Sequence, residues 1–281
     1  MRLWALTVVA TLAAGPLALA GPAPSPGDEI APPQGVRLEQ RLNQPVPLDL
    51  PFHDDQGKVV RLRDCLGGKP TILVLSYYKC PMLCTRVLND LTTSLRKIDD
   101  LSIGEQFNVV TVSFDPKEDA NPALTAAKKV SYVESYGRPH AAEGWHFLTG
   151  NQEAIDALTQ AVGFHYRWDE DQRQYDHPSG IMILSPDGRL FRYFYGLDYP
   201  PRDVRFSLKE ASQGGIPTTL ADEVLLRCFL TYDHSTGRYT PDVMKLLRLG
   251  GALTVLAVGA FVLVSLRRER RKAAAGPKPA G

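Results

Sequence analysis

Six uncharged residues, Thr71-Ile72-Leu73-Val74-Leu75-Ser76, lead within four positions to Cys80-Pro81-Met82-Leu83-Cys84. A continuous apolar run of this length predicts a strand buried in a central sheet. Beyond the second cysteine, Val87, Leu88, Leu91, Leu95 and Ile98 recur at the three-and-four spacing of one buried helix face. The cysteines therefore fall at a strand-to-helix junction. With Cys80 near the cap and Pro81 at the first helical position, Cys84 lies about one turn further on. Residues i and i+4 share a helix face, so the two sulfurs can converge.

The remaining pattern alternates short strands with helices. Residues 107–114 (FNVVTVSF) predict a second buried strand, ended by Asp115-Pro116. A helix over 122–136 has Asn121 as its cap and Pro122 at its first position. Residues 145–148 predict a short strand, and Asn151 caps a helix running to Val162. Strands over 181–184 and 190–195 flank the turn Ser185-Pro186-Asp187-Gly188-Arg189, a hairpin. A closing helix covers 201–211, and an extra strand is expected near Val59-Val60. No internal repeat is evident. The order β-α-β-α-β-α-β-β-α implies parallel pairing with right-handed crossovers, plus antiparallel strands at one edge. This is a thioredoxin-like α/β fold, a central mixed sheet flanked by helices, expected over residues 40–214. It puts the cysteines at the carboxyl end of the sheet, where open α/β sheets carry their chemistry.

The two ends read differently. Residues 1–20 hold Arg2, an apolar run and Ala18-Leu19-Ala20 before Gly21, the pattern of a secretory signal peptide. Residues 21–39 are expected to be a proline-rich linker. A membrane-proximal segment, 215–248, precedes eighteen uncharged residues at 249–266, held between Arg248 and Arg267. At about 1.5 Å per residue they span roughly 27 Å, close to a bilayer core of about 30 Å. The tail 267–281 has six basic residues and one acidic, which marks it as cytoplasmic. The formal charge of +1 is thus an average: the tail carries +5, Arg2 adds one, and residues 21–266 carry −5. That balance argues against nucleic acid as a partner. The expectation is an acidic domain on the periplasmic or cell-surface side, held by one carboxy-terminal transmembrane helix.

Four cysteines are too few for a disulfide scaffold in 281 residues. A close pair in an oxidising or redox-active compartment is instead a chemical feature. The helix amino terminus and Lys79 both favour a thiolate there. Thioredoxin-type oxidoreductases separate their cysteines by two residues. The three here leave room for a metal ion, and two thiolates suit copper or zinc. A structural disulfide, or two thiols packed as small hydrophobes, is the plainer alternative.

A metal site needs a further ligand, and six histidines are available: His53, His140, His146, His165, His177 and His234. His177 stands just before the strand at 181–184. A loop entering a strand beside the cysteine strand can bring an imidazole over the helix start, with Asp176 orienting it. His234 sits in a similar run, Tyr232-Asp233-His234-Ser235, which precedes the membrane segment and reads as a surface loop. Cys65 and Cys228 form either a structural disulfide or two separate buried thiols.

Taken together, four motifs resemble the Sco (SenC) family over roughly residues 40–214. They are Cys80-Pro81-Met82-Leu83-Cys84 after an apolar strand, Val112-Ser113-Phe114-Asp115-Pro116-Lys117-Glu118-Asp119 after the next, Trp145-His146-Phe147-Leu148-Thr149-Gly150, and Asp176-His177 ahead of Ser185-Pro186-Asp187-Gly188. The resemblance implies a membrane-tethered, thioredoxin-fold copper protein that helps assemble the dinuclear copper centre of cytochrome c oxidase. It implies Cys80, Cys84 and His177 as ligands for Cu(I) or Cu(II), selects His177 over His234, and makes Asp115 a supporting residue. The implied partners are the copper-bearing oxidase subunit and other copper chaperones or thiol–disulfide reductants. The chain departs from the family pattern at Thr85, where a proline is common, and at Met82-Leu83, where an acidic residue is frequent. Met82 is a candidate auxiliary soft ligand. A carboxy-terminal anchor is also unusual, because the family's anchor is commonly amino-terminal.

The leading expectation is therefore a metallochaperone. An enzymatic alternative is a thiol–disulfide oxidoreductase that acts on partner cysteines through Cys80 and Cys84 alone. A peroxiredoxin-like peroxidase would need one attacking cysteine in a proline–threonine context, which residues 77–84 lack.

Overall fold

All six residues of Thr71–Ser76 are buried, in the middle strand of a five-stranded sheet. The structure, a computed structural model, describes residues 35–80, 83–119, 121–213, 230–233 and 238–274, all within the unit Gln34–Gly281. The expected signal peptide, most of the linker, Met82, Cys228, His234 and the last seven residues of the tail lie outside the described residues.

The elements begin with β1 (Arg37–Leu38), β2 (Pro51–His53), β3 (Val59–Arg61), α1 (Leu62–Leu66), β4 (Thr71–Ser76) and α2 (Leu83–Arg96). Next come β5 (Asn108–Ser113), a 3-10 turn over Pro116–Glu118, α3 (Pro122–Tyr136), α4 (Ala141–Gly144), β6 (Trp145–Leu148) and α5 (Gln152–Ala161). Then follow β7 (Phe164–His165), β8 (Arg167–Asp169), β9 (Gln174–Asp176), β10 (Gly180–Leu184), β11 (Leu190–Tyr195) and α6 (Pro201–Ala211). The chain closes with β12 (Leu230–Asp233), β13 (Arg238–Pro241) and α7 (Val243–Ala274).

The sheet order is β11-β10-β4-β5-β6. β4, β5 and β6 run parallel, while β10 and β11 are antiparallel additions on the β4 side. The expected thioredoxin-like α/β architecture is what the chain forms. Strand alternation splits the core into two layers. Ile72 and Val74 pack with Leu91 and Leu95 of α2 and with Phe206 of α6. On the other face Leu73 and Leu75 pack with Leu62 and Leu66 of α1 and with Ile155 and Leu158 of α5. Each of these side chains contributes about 1.5–3 kcal/mol by leaving water.

Local chemistry sets the helix ends. Asn121 accepts from the Leu124 amide at 3.1 Å, and Asn151 from Ala154 at 2.9 Å. Gly137, at φ 71°, ends α3 in the left-handed conformation. Helix α2 stops at Arg96, short of Ile98, because its last turn tightens: the Ile98 amide bonds to the Leu95 carbonyl at 3.2 Å. The side chain of Ile98 stays in the core.

Register fixes what meets at the carboxyl end of β4. Leu184 lies opposite Thr71 and Met182 opposite Leu73, so β10 starts where β4 finishes. The segment entering β10, with His177, and the segment leaving β4, with Cys80, therefore share one end of the sheet. The β8–β9 hairpin, inserted between α5 and β10, also lies in the segment leading to His177.

At the carboxy-terminal side, the β12–β13 hairpin packs on α6. Tyr239 meets Phe206 edge-on at 5.7 Å, its amide donates to Asp203, and its hydroxyl donates to Glu210. Arg202 donates to the Tyr239 carbonyl at 3.1 Å, and Arg238 pairs with Asp198 at 2.6 Å. Helix α7 follows after one residue. Its stretch Val243–Arg267, which contains the expected 249–266, is long and apolar enough to cross a membrane. Along it Met244, Leu247, Leu253, Leu256, Phe261 and Leu263 are exposed.

Candidate metal centre

Cys80 ends the turn that leaves β4, its amide donating to the Tyr77 carbonyl at 3.2 Å. Its sulfur then accepts the Cys84 amide, a first-turn donor of α2, at 3.3 Å. Cys84 is thereby turned toward His177, and its Sγ lies 3.1 Å from His177 Nε2. The donor atoms of Cys80, Cys84 and His177 all fall within 4.8 Å of one another. Among the described residues no other such group of metal-ligating side chains exists. The three are 9%, 2% and 9% exposed.

The imidazole is oriented by backbone. Its Nδ1 lies 3.0 Å from the Pro178 carbonyl, which can only accept, so Nδ1 carries the proton. Nε2 is left with a lone pair facing the sulfurs. Aromatic rings wall the site: Phe114 at 5.2 Å, Tyr77 at 6.0 Å and Phe164 at 6.2 Å from the imidazole. Beside it a depression of about 310 Å³, lined by Tyr77, Lys79, Lys117 and Trp168, opens to solvent.

Burial pushes the Cys84 thiol well above the usual thiol range, and its hydrogen bond with Cys80 and the charge of that neighbour push it further. The thiolate expected from the helix start is thus disfavoured at Cys84 until a cation takes the proton's place. Such a soft cation suits two thiolates and one imidazole. Neither cysteine is in a disulfide.

Residues 40–212 match the model of the SCO1/SenC family. The chain belongs to that family. The SCO1 protein homolog of Bacillus subtilis is 25% identical over 181 residues, covering 63% of this chain and 88% of its own. A crystal structure from Aquifex aeolicus VF5 is 25% identical and superposes with a TM-score of 0.54, covering 62% of this chain and 95% of its own. The copper-bound ScoI of Arabidopsis thaliana is also similar, at 25% identity and a TM-score of 0.47, covering 62% and 99%.

The SCO1/SenC motif residues do not all gather at the cysteines. Asp115 is buried and accepts from the Lys117 amide at 3.0 Å and the Tyr175 hydroxyl at 3.3 Å. It reaches the centre through Tyr175, whose ring meets Tyr77 at 5.4 Å, and through its own carbonyl, which accepts the Glu118 amide at 3.0 Å. Asp176 does not orient His177. It sits opposite Arg167 in the β8–β9 ladder, and its carboxylate takes both Nε and Nη2 of Arg167 at 3.0 Å. Successive residues of an extended chain point to opposite sides, which sends Asp176 away from its neighbour.

Three of the other described histidines are engaged elsewhere: His53 with Asp119, His140 with Glu143 and His165 with Glu39. Cys65 is a free buried thiol, pushed up to about 12 by burial. One residue escaped the sequence reading altogether. Glu118, inside the Val112–Asp119 motif, is fully buried and bonded to the backbone that precedes Cys80. Its only sequence signal was its place in that motif.

Proposed function

We propose that this chain is a membrane-tethered, extracytoplasmic metallochaperone. It holds copper on Cys80, Cys84 and His177 and delivers it to the dinuclear copper site of a cytochrome c oxidase, or prepares the cysteines of that site. The observation that carries the reading is the convergence of two thiols and an imidazole lone pair in a buried, aromatic-walled corner. Copper is the cargo here. Two thiolates and one imidazole make a three-coordinate set suited to Cu(I), with room for exchange onto a partner's sulfurs. Loading requires both sulfurs reduced and deprotonated, so the redox state of the pair gates it. The apolar stretch of α7 anchors the domain, and the basic residues at the end of that helix keep the tail cytoplasmic.

The test is copper titration of the reduced full chain in detergent, wild type against His177→Ala. The expected result is near-stoichiometric copper in the wild type, with sulfur-to-Cu(II) charge-transfer absorption. In the variant both affinity and absorption should fall. Unchanged affinity and spectrum in the variant would remove His177 from the site. The alternative, a thiol–disulfide oxidoreductase without copper delivery, is favoured by the adjacency of the two reduced sulfurs. It predicts that His177→Ala keeps reductase activity on a partner's cysteines while Cys80→Ser and Cys84→Ser abolish it.

A further inference from the structure

Strands β4 and β5 pair in parallel up to Ser76 and Ser113, and the ladder closes with the Phe114 amide on the Ser76 carbonyl at 3.0 Å. Beyond that point the β4 chain turns away toward Cys80. The amides of Tyr78 and Lys79 are then without a strand acceptor. A buried amide left unpaired is strongly unfavourable, so these two need a partner from elsewhere.

Glu118 supplies it. Its side chain, 0% exposed, comes from the 3-10 turn that follows β5. Oε1 accepts the Lys79 amide at 2.7 Å, and Oε2 accepts the Tyr78 amide at 2.7 Å and the Ser113 hydroxyl at 2.6 Å. All three are neutral donors. A carboxylate buried against neutral donors keeps a desolvation penalty that an ion pair would partly offset. Both oxygens accept from backbone amides, an arrangement that the amide nitrogen of a glutamine cannot reproduce.

We propose that Glu118 is the positioning residue of the metal centre. Its carboxylate clamps the Tyr78–Lys79 backbone, and the clamp holds the Cys80 sulfur where Cys84 and His177 can share an ion with it. The connection is short. The Tyr77–Cys80 turn closes around the clamped residues, and the Cys80 sulfur in turn caps Cys84. Movement of Tyr78 and Lys79 therefore moves one ligand directly and disturbs the second. This inference rests on the copper reading of the Cys80–Cys84–His177 trio.

Four reduced full-length proteins in detergent test it: wild type, Glu118→Gln, Glu118→Asp and Leu95→Ala. The last is a core truncation on α2, far along the helix from the cysteines. Cu(I) affinity is read by competition with a chromophoric chelator, the site geometry by the sulfur-to-Cu(II) absorption, and stability by the urea midpoint. Hydrogen–deuterium exchange of the peptide containing Tyr78 and Lys79 is a readout that needs no metal. Both Glu118 variants should lose about tenfold or more in Cu(I) affinity, the usual scale for residues that hold metal ligands in place. Their absorption should shift and their exchange accelerate, whereas Leu95→Ala keeps wild-type affinity and absorption despite a lower midpoint.

A folded Glu118→Gln with wild-type affinity and absorption overturns the proposal. So does an affinity loss that merely follows the urea midpoint and appears equally in Leu95→Ala. If Glu118→Gln does not fold, wild-type absorption in Glu118→Asp overturns it. If neither variant folds, the wild-type exchange decides: a peptide exchanging as fast as an exposed loop removes the clamp. A wild type that binds no copper defeats the function reading instead, and the exchange measurement still judges the clamp.

Discussion

His177 meets Cys84 through Nε2, at 3.1 Å, because its other ring nitrogen is held by the carbonyl of the next residue, Pro178. The ligand lone pair is thus oriented by main chain rather than by a carboxylate. The imidazole needs no charged partner to be ready for an ion, and this separates it from its acidic neighbour.

Asp176→Asn should accordingly leave Cu(I) affinity within about twofold of wild type. The pair it breaks, with Arg167, is half exposed on the arginine side, and such pairs contribute about 0–1 kcal/mol. A chelator competition checks this; a tenfold loss would return Asp176 to the site.

Asp115 acts at a distance, and two variants separate its parts. Asp115→Ala removes the cap of the 3-10 turn as well as the Tyr175 bond, and should lower stability by about 1 kcal/mol. Tyr175→Phe removes only the bond. If the copper absorption depends on Asp115 through Tyr175, both variants shift it alike, while the urea midpoint falls further in Asp115→Ala.

Gly180→Ala tests how far the fold supports the ligand loop. A Cβ at Gly180 would stand 2.5 Å from the Phe194 carbonyl and 2.9 Å from Leu38 Cδ2. One of these is backbone of the neighbouring strand, so β10 and β11 must separate locally. Overpacking of this kind costs about 1–3 kcal/mol. Since His177 lies three residues upstream, weakened Cu(I) binding should accompany the lower urea midpoint; unchanged values of both would show that the strands yield freely.

Acid is the weak side of this domain. Burial, aided by the charge of Lys129, lowers His146 to about 4 from an ordinary 6.5. The folded state favours the neutral ring, so its contribution is complete above about pH 6.5 and is lost as pH falls toward 4. Asp100, hydrogen-bonded by Arg205 and Lys209, is lowered to about 2, and its contribution is lost as pH falls from 3.8 toward 2. Urea midpoints from pH 7 to 2 should decline over both windows, at no more than about 1.4 kcal/mol per pH unit for each proton. His146→Leu should flatten the upper window and leave the lower one.

Where a periodic pattern or a named cap existed, the chain was readable. β4, β5, α3, α5 and the β10–β11 hairpin fall where their apolar spacing and the caps Asn121 and Asn151 put them. The copper-type trio was readable because β10 must pair beside β4, which brings Cys80 and His177 to one end. The short pairs β1–β7 and β8–β9 were not readable, since strands of two or three residues have no period. Missing β8–β9 also misplaced Asp176, whose cross-strand partner Arg167 could not be foreseen. Glu118 was passed over for a different reason: a charged residue in a turn is ordinarily solvated, and only the parallel ladder shows that two amides lack acceptors.

The hairpin that grips α6 through Tyr239 ends at Pro241, and the apolar helix begins at Val243. One residue of slack leaves the hairpin little play against the helix. Seated in a bilayer, such a domain cannot sweep a volume in search of its target. Its encounters become a matter of lateral diffusion and of height above the lipid. A recipient in the same membrane is met at a fixed level, and a soluble one must approach a largely stationary berth.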